Sequence, residues 1–211
     1  MGLALLHTSL VHVPVFDGLR DLDHPGLELR HLVSEELLAR ARAEGPEAVA
    51  GDVARLMGEA VAAGATAVLC TCSTIGGVAE AAADALGVPA LRVDRPMAAR
   101  AAAADRIVVV ASVASTLEPT VGLIREEAGS RTPRIATRLV EDAFELFEAG
   151  DREGYLDAVA AVVDAVPEDQ AEVIVLAQAS LADVAERVTT RRPVLSSPRS
   201  GLAAAAGVAR G

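Results

Sequence analysis

The stretch Ala67–Gly77, AVLCTCSTIGG, decides the fold of this chain. Its first five residues form an apolar run with a β-branched residue. That is long enough for a buried strand and too short for a buried helix. A cluster of small polar residues follows, then a glycine pair, then an Ala-rich segment with helical character. The pattern predicts a strand over Ala67–Thr71, a turn, and a helix over Gly77–Leu86 that Gly87 stops. The same order recurs along the chain. Strands are predicted at Leu3–His7, Leu27–Val33, Val88–Val93, Ile107–Ala111, Ile135–Leu139, Val173–Ala177 and Val194–Ser196. Helices are predicted at Arg40–Ala63, Met97–Ala104, Leu117–Ala128, Asp142–Glu148, Arg152–Val166, Leu181–Thr189 and Leu202–Val208. Leu10–Pro25 and Thr137–Asp151 carry no readable specificity code, and the first reads as a long loop. Strands alternating with helices predict βαβ units and an α/β fold with mainly parallel sheets.

The pattern is duplicated. LALLHTS (Leu3–Ser9) followed by AVLCTCST (Ala67–Thr74) is echoed by IVVVASVAST (Ile107–Thr116) followed by VIVLAQAS (Val173–Ser180). His7 and Cys72 are 65 positions apart, Ala111 and Gln178 67. The expectation is two pseudo-symmetric lobes, each a mainly parallel sheet flanked by helices, with a cleft between them. The first lobe spans 1–93, with 197–211 crossing back to it, and the second spans 94–196. In such sheets ligands bind beyond the carboxyl ends of the strands.

Composition excludes several classes of function. The chain of 211 residues is 52% hydrophobic, so a sizeable core is available, and its net charge is −11. That charge argues against a nucleic-acid or anionic-membrane partner. It leaves room for a small anionic ligand, which senses only local charge. All 19 basic residues are arginine, and lysine is absent. Schiff-base chemistry and a phosphate-binding P-loop are therefore excluded. One Tyr, three Phe and no Trp offer no stacking platform for bases. The opening MGLALLHTSL lacks a basic region and does not read as a signal peptide. No stretch approaches the length of a membrane helix. Two cysteines are not a disulfide framework, and a reducing, cytoplasmic setting is expected.

Cys72 is the leading candidate for chemistry. It follows a strand and precedes a helix, where backbone N–H groups and the helix dipole favour negative charge. Ser73 and Thr74 add hydroxyls that can hold a carboxylate. Gly76 and Gly77 would let backbone approach a ligand closely. A thiolate beside a bound carboxylate can take the proton from the adjacent carbon, and the turn supplies donors for the enediolate that develops. Cys70, inside the strand, reads as structural. His7, Thr8 and Ser9 end the first strand, which topology places beside Cys72. Thr8 and Ser9 are substrate-binding candidates; His7 is either a base or an orienting group. His12, His24 and His31 read as unrelated to chemistry. A C-x-C pair with no second cluster matches no ordinary zinc spacing, so no metal is expected. In the second half Ser112, Ser115 and Thr116 mirror His7–Ser9, with Thr116 also a candidate helix cap. Gln178, Ala179 and Ser180 mirror Cys72–Thr74, with Ser180 a candidate cap. Arg95 and Arg199 are minor candidates for a carboxylate clamp.

The strings LLHTS, LCTCST, LRVDRPMA, VASTLEPT and VLAQASLA, in this order and spacing, resemble the aspartate/glutamate/hydantoin racemase superfamily over nearly the whole chain. The resemblance implies two α/β lobes, cofactor-independent chemistry and frequently a dimer. It implies one catalytic cysteine from each lobe. Cys72 matches the first-lobe cysteine. The second-lobe position falls on Gln178, whose amide cannot exchange a proton usefully near neutral pH. The leading expectation is an isomerase of the racemase or epimerase type acting on a small carboxylate or hydantoin-like substrate. A single-thiol decarboxylase or lyase of a malonate-like acid is the alternative, as is a relative that only binds a small molecule.

Overall fold

The structure is a computed structural model that describes Gly2–Arg210. Met1 and Gly211, the outer ends of the segments assigned to the first lobe, lie outside the described residues. The described chain divides into two compact units, residues up to Asp94 together with Pro198 onward, and Arg95–Ser197.

The first unit begins with β1 (Gly2–His7), α1 (His12–Asp23), β2 (Glu28–Val33), α2 (Glu35–Glu44) and α3 (Ala50–Ala62). It continues through β3 (Ala65–Cys70), α4 (Ser73–Ala81), α5 (Ala83–Leu86) and β4 (Ala90–Arg92). The second unit contains α6 (Arg95–Ala101), β5 (Arg106–Ala111), α7 (Leu117–Ala128), β6 (Arg134–Leu139) and α8 (Ala143–Glu148). It is completed by α9 (Arg152–Asp164), β7 (Val173–Leu176), a 3-10 helix (Ala179–Glu186) and β8 (Val194–Leu195). The chain then returns to the first unit as α10 (Pro198–Arg210).

Each unit holds one four-stranded sheet, in the orders β2-β1-β3-β4 and β6-β5-β7-β8, and every strand pair is parallel. The repeat seen in the sequence is thus a repeat of topology. The central strands are buried on both faces, which is why β1 and β5 read as unbroken apolar runs. In β1, Ala4 and Leu6 face α2, α3 and α4 through Leu37, Val53, Met57 and Ile75. Leu3 and Leu5 face the opposite way, onto Phe16 of α1 and Leu202, Ala205 and Ala206 of α10. In β5, Val108 and Val110 pack on Tyr155 and Val159 of α9, while Ile107 and Val109 meet α6 and α7 through Met97 and Ile124. Full burial of each Val, Leu, Ile, Phe or Met side chain among these contributes about 1.5–3 kcal/mol.

Three expectations are corrected. The long helix predicted at Arg40–Ala63 is two helices, because Gly45 adopts φ 93° and Pro46 starts a separate 3-10 turn. Leu10–Pro25 is largely a helix, α1; Pro14 is tolerated there because it lies in the first turn, where backbone N–H groups have no intrahelical partner. The helix after Cys72 starts at Ser73, four residues earlier than predicted, so Gly76 and Gly77 lie inside it. A Cβ on Gly76 would sit 3.1 Å from both Cβ and Nε of Arg92. The glycine makes room for that side chain rather than for a ligand.

Candidate active site

In the first unit the parallel register sets Leu6 of β1 beside Cys70 of β3. The residues that follow, His7 and Thr71, therefore meet at the carboxyl end of the sheet. The Thr71 hydroxyl donates to the Leu6 carbonyl at 3.1 Å. A hydroxyl has one proton, so Thr71 can only accept the 2.7 Å bond from His7 Nδ1. The proton of His7 is thus on Nδ1. Its Nε2 accepts from His31 Nδ1 at 2.8 Å, and His31 Nε2 lies 3.3 Å from Asp17 Oδ1. The His7 and His31 rings stack at 5.1 Å between centroids, and Phe16 closes the side of His7 at 5.5 Å. Burial, then the neighbouring His31 and His12, push His7 down from 6.5 to about 3, which holds it neutral. Burial likewise pushes His12 down to about 4. His7 is fully buried, and both of its ring nitrogens are engaged inside the unit.

Thr71 leads directly into Cys72, the extended N-cap residue of α4. The two cysteines have separate environments. Cys70 is wholly buried among the aliphatic side chains of the core, its thiol donating to the Cys72 carbonyl at 3.6 Å. Burial, reinforced by the neighbouring Cys72, pushes the Cys70 thiol up. Cys72 is only partly buried. The first turn of α4, the positive end of the helix dipole, starts one residue after it. Thr8, Ser73 and Thr74 are buried and Ser9 is partly exposed. Behind α4, Arg92 holds the fully buried Asp94 bidentately, Nε to Oδ1 at 2.7 Å and Nη2 to Oδ2 at 2.9 Å.

The second unit places Gln178 at the carboxyl end of β7, as the extended N-cap of the 3-10 helix that begins at Ala179. Its Oε1 accepts three bonds: from Ser112 N at 2.7 Å, from Val113 N at 3.1 Å and from Ser112 Oγ at 3.1 Å. Two backbone N–H groups aim at this atom, so it must be the oxygen. Tyr155 OH lies 3.0 Å from Ser112 Oγ and 2.8 Å from Ser180 Oγ. Burial pushes the Tyr155 phenol up, so it stays protonated. Thr116 is the N-cap residue of α7, but its hydroxyl donates back to the Val113 carbonyl at 2.7 Å rather than capping the helix. Ser180 lies inside the 3-10 helix and is not its cap. Arg95 is paired with Glu126 and Glu127, and Arg199 with Asp23, which accounts for both arginines as ion pairs.

His31, Asp17 and Tyr155 are the polar residues that sequence reasoning missed. His31 pairs in register with Leu5, two residues before His7, so the two rings share a face of the sheet. Strand alternation combined with a parallel register would have found it. Among the described residues no group of three or more His, Cys, Asp or Glu could hold a metal ion. Among them also, no helix is long and apolar enough to cross a membrane.

Two similarly wound parallel-sheet units, with polar turns at the carboxyl ends of their central strands, define a duplicated α/β protein. The chain belongs to the Asp/Glu/Hydantoin racemase family, whose sequence profile matches residues 10–205. Among solved structures it is similar to allantoin racemase from Pseudomonas fluorescens, at 22% identity over 100% of this chain and 91% of that one, TM-score 0.69. It is similar to glutamate racemase from Aquifex pyrophilus, at 12% identity over 97% of this chain and 82% of that one, TM-score 0.68. It is also similar to a variant of arylmalonate decarboxylase in a sulfate-associated form, at 20% identity over 100% and 94%, TM-score 0.65. At these identities the likeness is one of fold. No curated protein matches the chain in sequence.

Proposed function

We propose that the protein is a cofactor-independent isomerase of the racemase or epimerase type, acting at the carbon next to a carboxylate or amide of a small substrate. Cys72 is its acid and base. The observation that carries the proposal is the contrast between the two thiols: Cys70 is sealed in the core, whereas Cys72 is partly exposed at a strand end where a helix begins. The Cys72 thiolate takes the α-proton, the electron pair moves onto the carboxylate or amide as an enediolate, and backbone N–H groups of α4 stabilise that charge. His7 is a positioning residue in this reading, because it offers no nitrogen to a substrate. It fixes Thr71, and through it the Cys72 turn. Thr8, Ser9, Ser73 and Thr74 in the first unit, and Ser112, Thr116, Gln178, Ala179 and Ser180 in the second, serve binding.

Gln178 favours a second reading. With an amide where the second thiol would stand, one proton carrier remains. One suffices for a decarboxylase: the bond to the departing carbon dioxide breaks, its electrons form the enediolate, and Cys72 delivers a proton to that carbon. The test is exchange of the α-hydrogen for deuterium across a panel of carboxylates, hydantoins and malonates, with carbon dioxide followed in parallel. Exchange that vanishes in Cys72→Ala supports the isomerase; carbon dioxide release that vanishes in it supports the decarboxylase. Neither activity, or activity that survives the substitution, refutes the role of Cys72.

A further inference from the structure

The hydrogen-bond directions around Gln178 can be assigned completely, and they define what this part of the second unit recognises. Gln178 Oε1 is an acceptor only, so Ser112 Oγ donates its one proton to it, at 3.1 Å. Ser112 Oγ must then accept the proton of Tyr155 OH at 3.0 Å. The Tyr155 oxygen in turn accepts the proton of Ser180 Oγ at 2.8 Å. The chain runs one way: Ser180 to Tyr155 to Ser112 to Gln178. It ends in a clamp of two backbone amides and one hydroxyl, which fixes the plane of the Gln178 side chain.

Two consequences follow. Gln178 Nε2, on the far side of the clamped amide, has two protons that the clamp does not use, and Gln178 keeps 9% of its surface exposed. Ser180 has committed its proton inward, so its oxygen can only accept from a ligand. A fixed donor and a proton-depleted acceptor stand two residues apart at the head of the 3-10 helix.

We infer that Gln178 and Ser180 form a specificity element for an uncharged carboxamide or ureido group, selecting it over a carboxylate. Such a group offers a carbonyl oxygen to Gln178 Nε2 and an N–H to Ser180 Oγ. A carboxylate offers acceptors only and meets the Ser180 lone pairs unfavourably. The inference rests on the reading of this strand end as a substrate-binding region and refines it.

The test is a matched pair of isosteres, malonamate and malonate, titrated into the whole protein by calorimetry at neutral pH. Malonamate is expected to bind at least about tenfold more tightly, as one mismatched hydrogen bond of roughly 1.4 kcal/mol requires. Gln178→Glu retains an oxygen for the clamp but removes the donor, and is expected to abolish the preference. Tyr155→Phe leaves the clamp intact and releases the Ser180 proton, and is expected to narrow the preference by strengthening malonate binding. Ser180→Ala should narrow it by weakening malonamate. Malonate binding as tightly as malonamate, failure of both to bind, or a preference that survives both Gln178→Glu and Ser180→Ala overturns the inference. The preference should persist in Cys72→Ala. Loss of the proton-transfer reading therefore leaves it standing, and equal binding of the two acids leaves the proton-transfer reading standing.

Discussion

Removing the carboxylate of Asp94 should destabilise the protein more than almost any other single change of a charged residue. Asp94 is fully buried and Arg92 nearly so, and two short bonds join them. In Asp94→Ala the guanidinium stays where Gly76 packs against it, enclosed and stripped of its bidentate partner, with Glu80 as a remaining acidic neighbour. Breaking one side of such a pair costs about 3–5 kcal/mol. Against the roughly 5–15 kcal/mol that holds a typical domain folded, that is a large share. The double variant Arg92→Met/Asp94→Leu removes both charges and fills the space, so it should recover most of the loss, because a well-packed apolar replacement no longer strands an ion. Urea unfolding followed by circular dichroism gives the midpoints of the wild type, both single variants and the double. The Arg95–Glu126 pair, which is more exposed, is the natural control and should cost no more than about 1 kcal/mol when broken. A loss below about 1 kcal/mol for Asp94→Ala, or a double variant no better than the single, would refute the claim that the cost is that of a buried charge deprived of its bidentate partner.

Two further predictions concern stability. His7 and His12 are held below their ordinary value of 6.5, at about 3 and about 4, so the unfolded chain binds more protons than the folded one between those values and 6.5. Their contribution is complete above pH 6.5 and is lost as pH falls. Each should lower stability by up to about 1.4 kcal/mol per pH unit below that point, and His7→Gln should flatten the dependence of Tm on pH between 6.5 and 5. On α10, a Cβ at Gly201 would lie 2.4 Å from the Val93 carbonyl oxygen, whereas one at Gly207 would meet nothing within 4 Å. Thermal melts should therefore show Gly201→Ala destabilised by more than about 2 kcal/mol and Gly207→Ala stabilised by roughly 0.5–1 kcal/mol.

What the sequence disclosed depended on how local the determining physics is. The buried run Ile107–Ala111 could only be a central strand, and α7 matches its predicted limits because its apolar spacing and terminal glycine are local signals. The start of α4 was misread because Ser73, Thr74, Gly76 and Gly77 are turn-formers in isolation. They are helical here, and Arg92, sixteen residues on from Gly76, packs where only a glycine leaves room, a contact that no local signal discloses. The candidate residues at the strand ends were legible from the duplicated pattern. Their hydrogen bonds were not. The link from Thr71 through His7 and His31 to Asp17 joins residues on β1, β2, α1 and the turn after β3. Tyr155 reached Ser112 and Ser180 from a helix whose sequence marks it only as core.

The return of α10 sets an order of assembly. Leu202, Ala205, Ala206 and Ala209 cover the face of the first sheet that carries Leu3 and Leu5, and Thr66 Oγ1 donates to the Ala209 carbonyl at 3.2 Å. During synthesis β1 thus waits, with the part of this flank that lies under α10 bare, until the whole intervening unit has emerged. The intervening unit has all its strands in hand sooner. A nascent chain stalled before Pro198 should accordingly present a finished second unit and an unfinished first one, and the bare flank is where a chaperone would be needed.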